Sequence, residues 1–219
     1  MFITLEGIEG SGKTTLQNAL ASALREQGHE VLVTREPGGC ALGRTLRGVL
    51  LDPHSHLSPH AELFLFLADR AQHVAESIKP ALDAGGIVLC DRYADSTIVY
   101  QGYGRGFDID TLQKLNDLAI GGLWPDQTLV LDMEPEAALR RALRRNEAQG
   151  LTDSEGRFEA ESLDFHHRLR TGFQLWANRN PKRITLLDAS GTPSDLLQQA
   201  LQKIGERLGG KVLSTKKDA

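Results

Sequence analysis

The sequence predicts an α/β fold, a three-layer α/β/α sandwich around a five-stranded parallel sheet. Five short apolar runs alternate along the chain with segments of helical periodicity, and a glycine-rich loop joins the first run to the first helix. Such nearly continuous runs suit strands that are buried on both faces of a parallel sheet. Right-handed crossovers between them would place helices on both sides of that sheet.

The predicted elements follow one another without an internal repeat or a linker. The strand candidates are residues 2–6, 30–34, 87–90, 128–132 and 183–187. The helical patterns cover residues 13–27, 42–51, 60–84, 93–101, 110–121, 135–148, 160–179 and 193–208. Gly28 is a helix stop signal, and Pro135 suits the first turn of a helix. We predict one domain over residues 1–208 and a loose tail at residues 209–219.

Composition and charge exclude several classes of partner. The chain has 219 residues, of which 40% are hydrophobic and 25% charged, which is enough for a sizeable core. Its net charge of −4 gives no attraction to nucleic acid or to an anionic membrane, so we expect neither partner. The longest apolar run, residues 63–68, is far shorter than the roughly 20 residues that span a bilayer.

Cysteine usage indicates a reducing compartment. Cys40 and Cys90 are too few for a disulfide framework and lie in no metal-type cluster. Cys90 ends an apolar run, so we expect it to be a buried thiol. No signal peptide precedes the first strand, and we therefore expect a cytoplasmic protein.

The loop after the first strand matches G-x-x-x-x-G-K-[ST], the phosphate-binding loop. Its glycines let several backbone N–H groups point at one anion, and the next helix begins with a positive dipole end. Lys13 can reach the β- and γ-phosphates of a nucleotide, and the Thr14 hydroxyl can bind Mg²⁺. We predict that ATP is bound by Gly7, Ile8, Glu9, Gly10, Ser11, Gly12, Lys13 and Thr14.

Further candidates come after the third strand, because ligands of such folds bind at the carboxyl ends of the strands. Asp91 closes that strand, where a carboxylate can hold Mg²⁺ directly or through water. Arg92 could clamp a phosphate with its planar guanidinium. A turn residue and a surface arginine are the simpler interpretations of these two positions.

Two groups of residues could recognise a base. Phe66 and Arg70 share one helix face, where a ring could stack on a base and a guanidinium could bond to its edge. An apolar face beside a surface charge is the simpler alternative. All three tyrosines cluster after the third strand and fit core packing and a ligand wall equally well. Gln101 among them could pair with a base edge through its amide.

A helix with four arginines precedes a polar, glycine-containing stretch. The arginines are Arg140, Arg141, Arg144 and Arg145. They fit a solvated face as well as a mobile lid, over about residues 144–158, that brings arginines over phosphates and excludes water. The seven histidines form no metal-type pattern, and we expect His166 and His167 at the surface.

Together these residues resemble bacterial thymidylate kinases over almost the full length of the chain. The Asp-Arg-Tyr block at 91–93 and the Tyr-Gln-Gly block at 100–102 are specific to that family, whereas the phosphate-binding loop occurs in many families. Other matching segments are residues 2–7, 34–39, 66–70, 96–97 and 116–125. The resemblance implies a P-loop kinase fold with a small mobile lid and a homodimer. It also implies phosphorylation of dTMP to dTDP by Mg-ATP, in dTTP biosynthesis.

The resemblance further assigns residues to the acceptor nucleotide. It implies that Phe66 stacks on thymine and that Arg70 bonds to the base edge, with Thr97 and Gln101 close by. It also implies that Tyr100 lies under the deoxyribose and disfavours a 2′-hydroxyl. The substrate-binding residues are then Glu9, Glu36, Pro37, Arg47, Phe66, Arg70, Arg92, Thr97, Tyr100 and Gln101.

The resemblance also implies how phosphate and transition state are held. Arg92 and Arg47 would bind the dTMP phosphate, and Glu9 would face the 3′-hydroxyl. Some relatives carry a catalytic arginine in the loop, but here Gly10 stands at that place, so the lid would supply it. Arg145 and Arg157 are the preferred candidates, followed by Arg144. The predicted catalytic residues are Lys13, Arg92, Arg145, Arg157 and Glu9.

Two other functions fit parts of the sequence. The phosphate-binding loop also permits a kinase of another nucleotide or a nucleoside, and only the base-reading residues favour thymine. A nucleotide-hydrolysing switch or motor is less consistent with the chain. The guanine-reading N-K-x-D tetrapeptide is absent, and 219 residues leave little room for the extra domains of a motor.

Overall fold

Five parallel strands form one sheet in the computed structural model, which describes residues 1–150 and 156–207. The strands are β1 (Phe2–Glu6), β2 (Val31–Arg35), β3 (Ile87–Asp91), β4 (Gln127–Asp132) and β5 (Ile184–Asp188). Their order is β2-β3-β1-β4-β5 and every pairing is parallel, so each connection between consecutive strands is a crossover. The predicted α/β class and the parallel sheet are confirmed. The predicted tail, with residue 208, and lid residues 151–155 lie outside the described residues.

Helices connect the strands. They are α1 (Lys13–Glu26), α2 (Ala41–Leu51), α3 (Pro59–His73), α4 (Lys79–Asp83), α5 (Ala94–Thr97), α6 (Ile109–Ile120), α7 (Pro135–Gln149), α8 (Leu163–Arg179) and α9 (Pro193–Arg207). Gly28, with φ of 88°, follows α1, and Pro135 opens α7, both as predicted. The Ser162 hydroxyl accepts the Phe165 N–H at 3.2 Å, so α8 begins later than its periodicity indicated. Among the described residues, no helix is both long and apolar enough to cross a bilayer.

Two predicted helices are interrupted by π-helical turns. The segment Val74–Ile78 separates α3 from α4, and Ile98–Gly104 follows α5. Pro80 lies in the first turn of α4 and cannot donate to the carbonyl four residues earlier, which fits the wider turn before it. In the second segment the Arg105 N–H reaches back five residues to the Tyr100 carbonyl at 3.0 Å. Turns of this type often occur at functional sites.

A buried carboxylate ties the first strand to the turn after the third. Glu6, at the end of β1, is fully buried and accepts the backbone N–H groups of Tyr93 and Ser96 at 2.8 and 3.2 Å. Its second oxygen accepts the Ser96 hydroxyl at 2.5 Å. Burial, with Asp95 nearby, raises the pKa of Glu6 to about 7. These bonds hold the turn in which Arg92 adopts a positive φ of 67°.

The raised pKa predicts how Glu6 affects stability. In the folded protein the Glu6 carboxyl keeps its proton to about pH 7, whereas in the unfolded chain it loses the proton near pH 4.5. The folded state therefore loses stability relative to the unfolded state as the pH rises between these values. The difference in unfolding free energy between wild type and Glu6→Gln should therefore fall from pH 4.5 to 7, by on the order of 3 kcal/mol, and level off above. Urea unfolding across this range measures it, and the exposed change Glu206→Gln controls for net charge. A difference that rises or stays constant would contradict the prediction.

Candidate functional site

A cavity of about 710 Å³ opens at the carboxyl ends of the central strands. It is lined by the loop before α1, the end of β3, and parts of α2, α3, α7 and the second π-helical segment. The predicted site residues on its wall are Glu9, Gly10, Ser11, Gly12, Lys13, Thr14, Glu36, Pro37, Arg47, Phe66, Arg70, Asp91, Arg92, Thr97, Tyr100, Gln101 and Arg145. Gly7, Ile8 and Arg157 are not on the wall. The structure thus brings most predicted candidates to one space.

The loop before α1 is curled around its own lysine. Gly7, Gly10 and Gly12 all have positive φ, a conformation that glycine adopts without strain. Lys13 donates from Nζ to the carbonyls of Gly7 and Ile8 at 3.0 and 2.8 Å, so these two residues form the floor beneath it. Burial, together with repulsion from Arg92, lowers the pKa of Lys13 to about 8. A bound anion would therefore favour the charged form of this amine.

An oxygen pair lies beside the loop. Thr14 donates from Oγ1 to Asp91 Oδ2 at 3.2 Å, while the buried Oδ1 of Asp91 has no hydrogen-bond partner. A hydroxyl with an unsatisfied carboxylate oxygen suits Mg²⁺, which keeps several waters and takes few protein ligands. Within residues 1–150 and 156–207, no group of three or more acidic, histidine or cysteine side chains could hold a metal. Thr14 and Asp91 are two oxygen donors that could contribute to a Mg²⁺ site.

Glu9, Arg92 and Tyr100 form a compact charged cluster on the wall. Arg92 donates to Glu9 Oε1 at 2.7 Å, and the Tyr100 hydroxyl donates to the same oxygen at 2.6 Å. The Arg92 guanidinium also stacks 4.8 Å from the centre of the Tyr100 ring. Burial alone would raise the pKa of Glu9, but Arg92 and Lys13 hold it below its usual value. The cluster therefore presents one carboxylate and one guanidinium side by side.

The prediction for His166 is wrong. Its side chain is fully buried, with Nδ1 3.7 Å from Glu9 Oε2, whereas His167 is exposed beside Glu136 as expected. Burial lowers the pKa of His166. The signal was present in the sequence, because His166 precedes the buried Leu169 and Phe173 by three and seven residues, on the apolar face of α8.

Arg70 is buried rather than exposed, which removes the surface-charge interpretation. It donates to Glu36 Oε2 at 2.8 Å, to the Thr97 hydroxyl at 2.8 Å and to Asn116 Oδ1 at 2.7 Å. Phe66, one turn earlier on α3, shares the cavity wall with it. The structure therefore joins an aromatic ring, a guanidinium and a hydroxyl at one end of the cavity. Asn116 was matched only as part of a family segment, and nothing local marked it.

The other predicted contacts lie nearby. Glu36 is buried, and its Oε1 lies 3.0 Å from His73 Nδ1. Arg47 reaches from α2 to donate to the Pro37 carbonyl at 3.0 Å. Of the tyrosines, only Tyr100 lines the cavity, and Tyr93 and Tyr103 serve packing, Tyr103 against Gly172. Tyr100 thus belongs to the cavity wall and to the hydrophobic core at the same time, whereas the other two tyrosines do not line the cavity.

Helix α7 places two of its arginines over the cavity. Arg141 and Arg145, four residues apart on one face, line it, whereas Arg140 and Arg144 do not. Arg145 also donates to Asn146 Oδ1 at 2.8 Å and lies 3.2 Å from Glu159. Arg141 was not among the residues preferred from the sequence, although it lies four residues before Arg145 and therefore on the same face of the helix. Phe158 and Glu159 also line the cavity without a local signal.

Arg157 is not brought into the site. It donates to the Leu50 carbonyl at 2.7 Å and pairs with the buried carboxylate of Glu62. Glu62 is almost fully buried and also pairs with Arg105 at 2.8 Å, so both arginines compensate one charge. The preference for Arg157 as a lid arginine is therefore not supported by this geometry. No local pattern links residues so far apart in the chain.

The loop and helix α7 are in direct contact at Gly10. A Cβ atom built on Gly10 would lie 1.9 Å from the Ala138 carbonyl oxygen and 2.9 Å from the Ala142 nitrogen. Backbone cannot yield at such distances, so only glycine fits. In this packing of α7, an arginine at position 10 would clash with the helix backbone.

Comparisons with known proteins identify the family of the chain. The family model described as thymidylate kinase matches residues 5–200. The thymidylate kinase of Nitratidesulfovibrio vulgaris (strain DP4) is 57% identical over 210 residues, which cover 95% of this chain and 94% of that protein. The thymidylate kinase of Maridesulfovibrio salexigens is 53% identical over 211 residues, which cover 96% of this chain and 97% of that protein. The crystal structure of thymidylate kinase from Ehrlichia chaffeensis superposes with a TM-score of 0.74 at 35% identity, over 93% of this chain and 97% of that one. The chain therefore belongs to the thymidylate kinase family.

Proposed function

We propose that the protein transfers the γ-phosphoryl group of Mg-bound ATP to dTMP, giving ADP and dTDP. The observation that carries the proposal is that one cavity joins the glycine-rich loop and Lys13 to a second set of arginine, aromatic and amide side chains, which could recognise a phosphate and a base. A hydrolase or switch needs only the first set. Membership of the thymidylate kinase family supports dTMP as the acceptor.

The donor is held by the loop. Its backbone N–H groups and the start of α1 face the phosphates, and Lys13 exchanges the carbonyls of Gly7 and Ile8 for phosphate oxygens. Thr14 and Asp91 would hold Mg²⁺, which supplies charge neutralisation between the β- and γ-phosphates. The unsatisfied Oδ1 of Asp91 supports this placement.

The acceptor occupies the opposite half of the cavity. Arg92 binds the dTMP phosphate with Arg47 nearby, because a guanidinium has five donors and can keep Glu9 while it bonds to a phosphate. Glu9 accepts the 3′-hydroxyl and Tyr100 lies under the sugar. The base fits against Phe66.

At the base end, Phe66 provides the stacking surface, and polar groups surround the edge of the ring. These groups are Arg70, Thr97 and Gln101, with Glu36 and Pro37 completing the wall. Arg70 is held rigidly by its bonds, so it offers a preorganised positive edge.

Chemistry here depends on position and charge. The acceptor phosphate oxygen is already a nucleophile, so no general base is assigned. As negative charge spreads over the transferring group, Arg92 and the α7 arginines stabilise it from two sides. Arg141 and Arg145 replace the pair preferred from sequence, since Arg157 is committed to Glu62.

We also infer a cytoplasmic homodimer. Large apolar side chains are exposed on α2, α3 and α6, which pack against one another. They are Leu42, Val49, Phe64 and Leu118. Exposed apolar side chains on helices that pack together support self-association. Two free, buried cysteines fit a reducing compartment.

A coupled ADP-release assay with Mg-ATP and a panel of acceptors tests the reaction. The panel is dTMP, dUMP, dCMP, UMP, AMP, GMP and thymidine. We expect the highest kcat/KM with dTMP and no ADP without an acceptor. Preference for another acceptor would overturn the proposed substrate, and phosphate release without acceptor would favour a hydrolase.

Removing the loop lysine should nearly abolish turnover. Lys13→Ala deletes the cation that follows the γ-phosphoryl group, and we expect kcat to fall by at least roughly 10²-fold. The surface change Lys79→Ala, far more exposed, is the matched control. Near-normal turnover by folded Lys13→Ala protein would refute its role.

Substitution of the α7 arginines should lower kcat only at the two positions that line the cavity. Arg141→Ala and Arg145→Ala should each lower kcat by at least roughly tenfold, with a smaller change in the KM for dTMP, because they act on charge that develops during transfer. Arg140→Ala, on the same helix but not on the cavity wall, serves as the control. Equal activity of all three variants would show that α7 takes no part.

A further inference from the structure

Glu62 lies in α3 behind the wall of the cavity, and it does not line the cavity itself. It is almost fully buried and accepts four hydrogen bonds. Arg105 supplies two of them, at 2.8 and 3.0 Å, and Arg157 supplies another. The fourth comes from the side-chain amide of Gln101, whose Nε2 lies 2.7 Å from Glu62 Oε1.

The carboxylate of Glu62 is held in its charged form. Burial alone would raise its pKa, but the hydrogen bonds from Arg105 and Gln101 keep the pKa below its usual value. An ionised carboxylate can only accept hydrogen bonds, so the amide of Gln101 can face it only through its NH₂ group. Glu62 therefore removes the freedom of this amide to turn over.

The consequence lies on the other side of Gln101. This residue is itself buried and lines the cavity, as Phe66 and Arg70 of the same helix as Glu62 also do. With one N–H of Nε2 donated to Glu62 Oε1, the amide cannot turn its carbonyl oxygen toward that carboxylate. The carbonyl oxygen, an acceptor, therefore faces away from Glu62 and is available to a ligand. An acceptor matches the N3–H of thymine, which is a donor. It repels N3 of cytosine, which is an acceptor.

We infer that Glu62 is a specificity-determining residue that acts through Gln101 and selects acceptor bases with a protonated N3. The inference rests on the proposed function, because it takes Gln101 to face the base of the acceptor. It also explains the positions of Arg157 and Arg105, which keep Glu62 ionised and thereby keep the amide oriented. Glu62 touches no substrate and is a positioning residue.

The affinities of dTMP and dCMP, measured by titration calorimetry, test the inference together with kcat/KM for both. In Glu62→Gln the new amide can either accept a hydrogen bond from Gln101 or donate one to it. The Gln101 amide can then turn over without losing its partner at position 62. We expect the preference for dTMP over dCMP to fall by roughly tenfold or more, because an amide that is free to turn can donate to cytosine N3 as readily as it accepts from thymine N3–H.

Glu161→Gln is the matched control. Glu161 shares Arg105 with Glu62, at 2.9 Å, and has no hydrogen bond to Gln101. We expect this variant to keep the wild-type preference. A loss as large as that of Glu62→Gln would assign the effect to Arg105 and overturn the role of the Glu62–Gln101 bond.

A double-mutant cycle distinguishes orientation from general loosening. In a Gln101→Ala background, Glu62→Gln should change the dTMP to dCMP ratio no further, because the amide that it orients is gone. An equal change in both backgrounds would overturn the inference, and so would an unchanged ratio in Glu62→Gln alone. A wild-type protein with no preference for dTMP would instead overturn the proposed function itself.

A measurement on the wild type covers the case in which Glu62→Gln does not fold. In the dTMP complex, nuclear Overhauser effects from the Gln101 amide protons report which side they face. We expect them to lie toward α3 and away from the thymine imino proton. Strong contacts between the amide protons and the base edge would overturn the inference.

Discussion

Charge compensation in buried surroundings is the constraint on which this structure depends. Four acidic side chains packed behind or beside the cavity each have a guanidinium within hydrogen-bond distance, and an unpaired buried charge would cost several kcal/mol. The pairs are Glu9 with Arg92, Glu36 with Arg70, Glu62 with Arg105 and Arg157, and Asp95 with Arg183. Because the partners are far apart in the sequence, these pairs also hold separate elements of the fold together.

The same pairs prepare the cavity for anions. A lysine and several arginines would repel one another in an empty site if carboxylates did not separate them. The negative charge of Glu9 interacts favourably with both Arg92 and Lys13. Each of these two cations keeps N–H donors that a phosphate could use. The positive groups are therefore in place before a ligand arrives, so little reorganisation is needed during transfer.

Local patterns were sufficient for the parts of the site that consist of neighbouring residues. The loop from Gly7 to Thr14 and the carboxylate of Asp91 follow from strand, turn and helix signals alone. Arg157 could not be placed in this way, since its position depends on Glu62, 95 residues away. The same holds for the orientation of Gln101, which local sequence does not encode. His166 is different, because the helical period of α8 marked it as buried and its polar character was given too much weight.

The close approach of Gly10 to Ala138 bears on how such a site can change over generations. A side chain at position 10 requires that α7 first move away, yet α7 bears the arginines that line the cavity. A single codon change that introduced arginine into the loop would displace the very helix whose charges it duplicates. Steric exclusion thus makes the two sources of positive charge mutually exclusive, and a lineage with this packing can exchange one for the other only through coordinated substitutions.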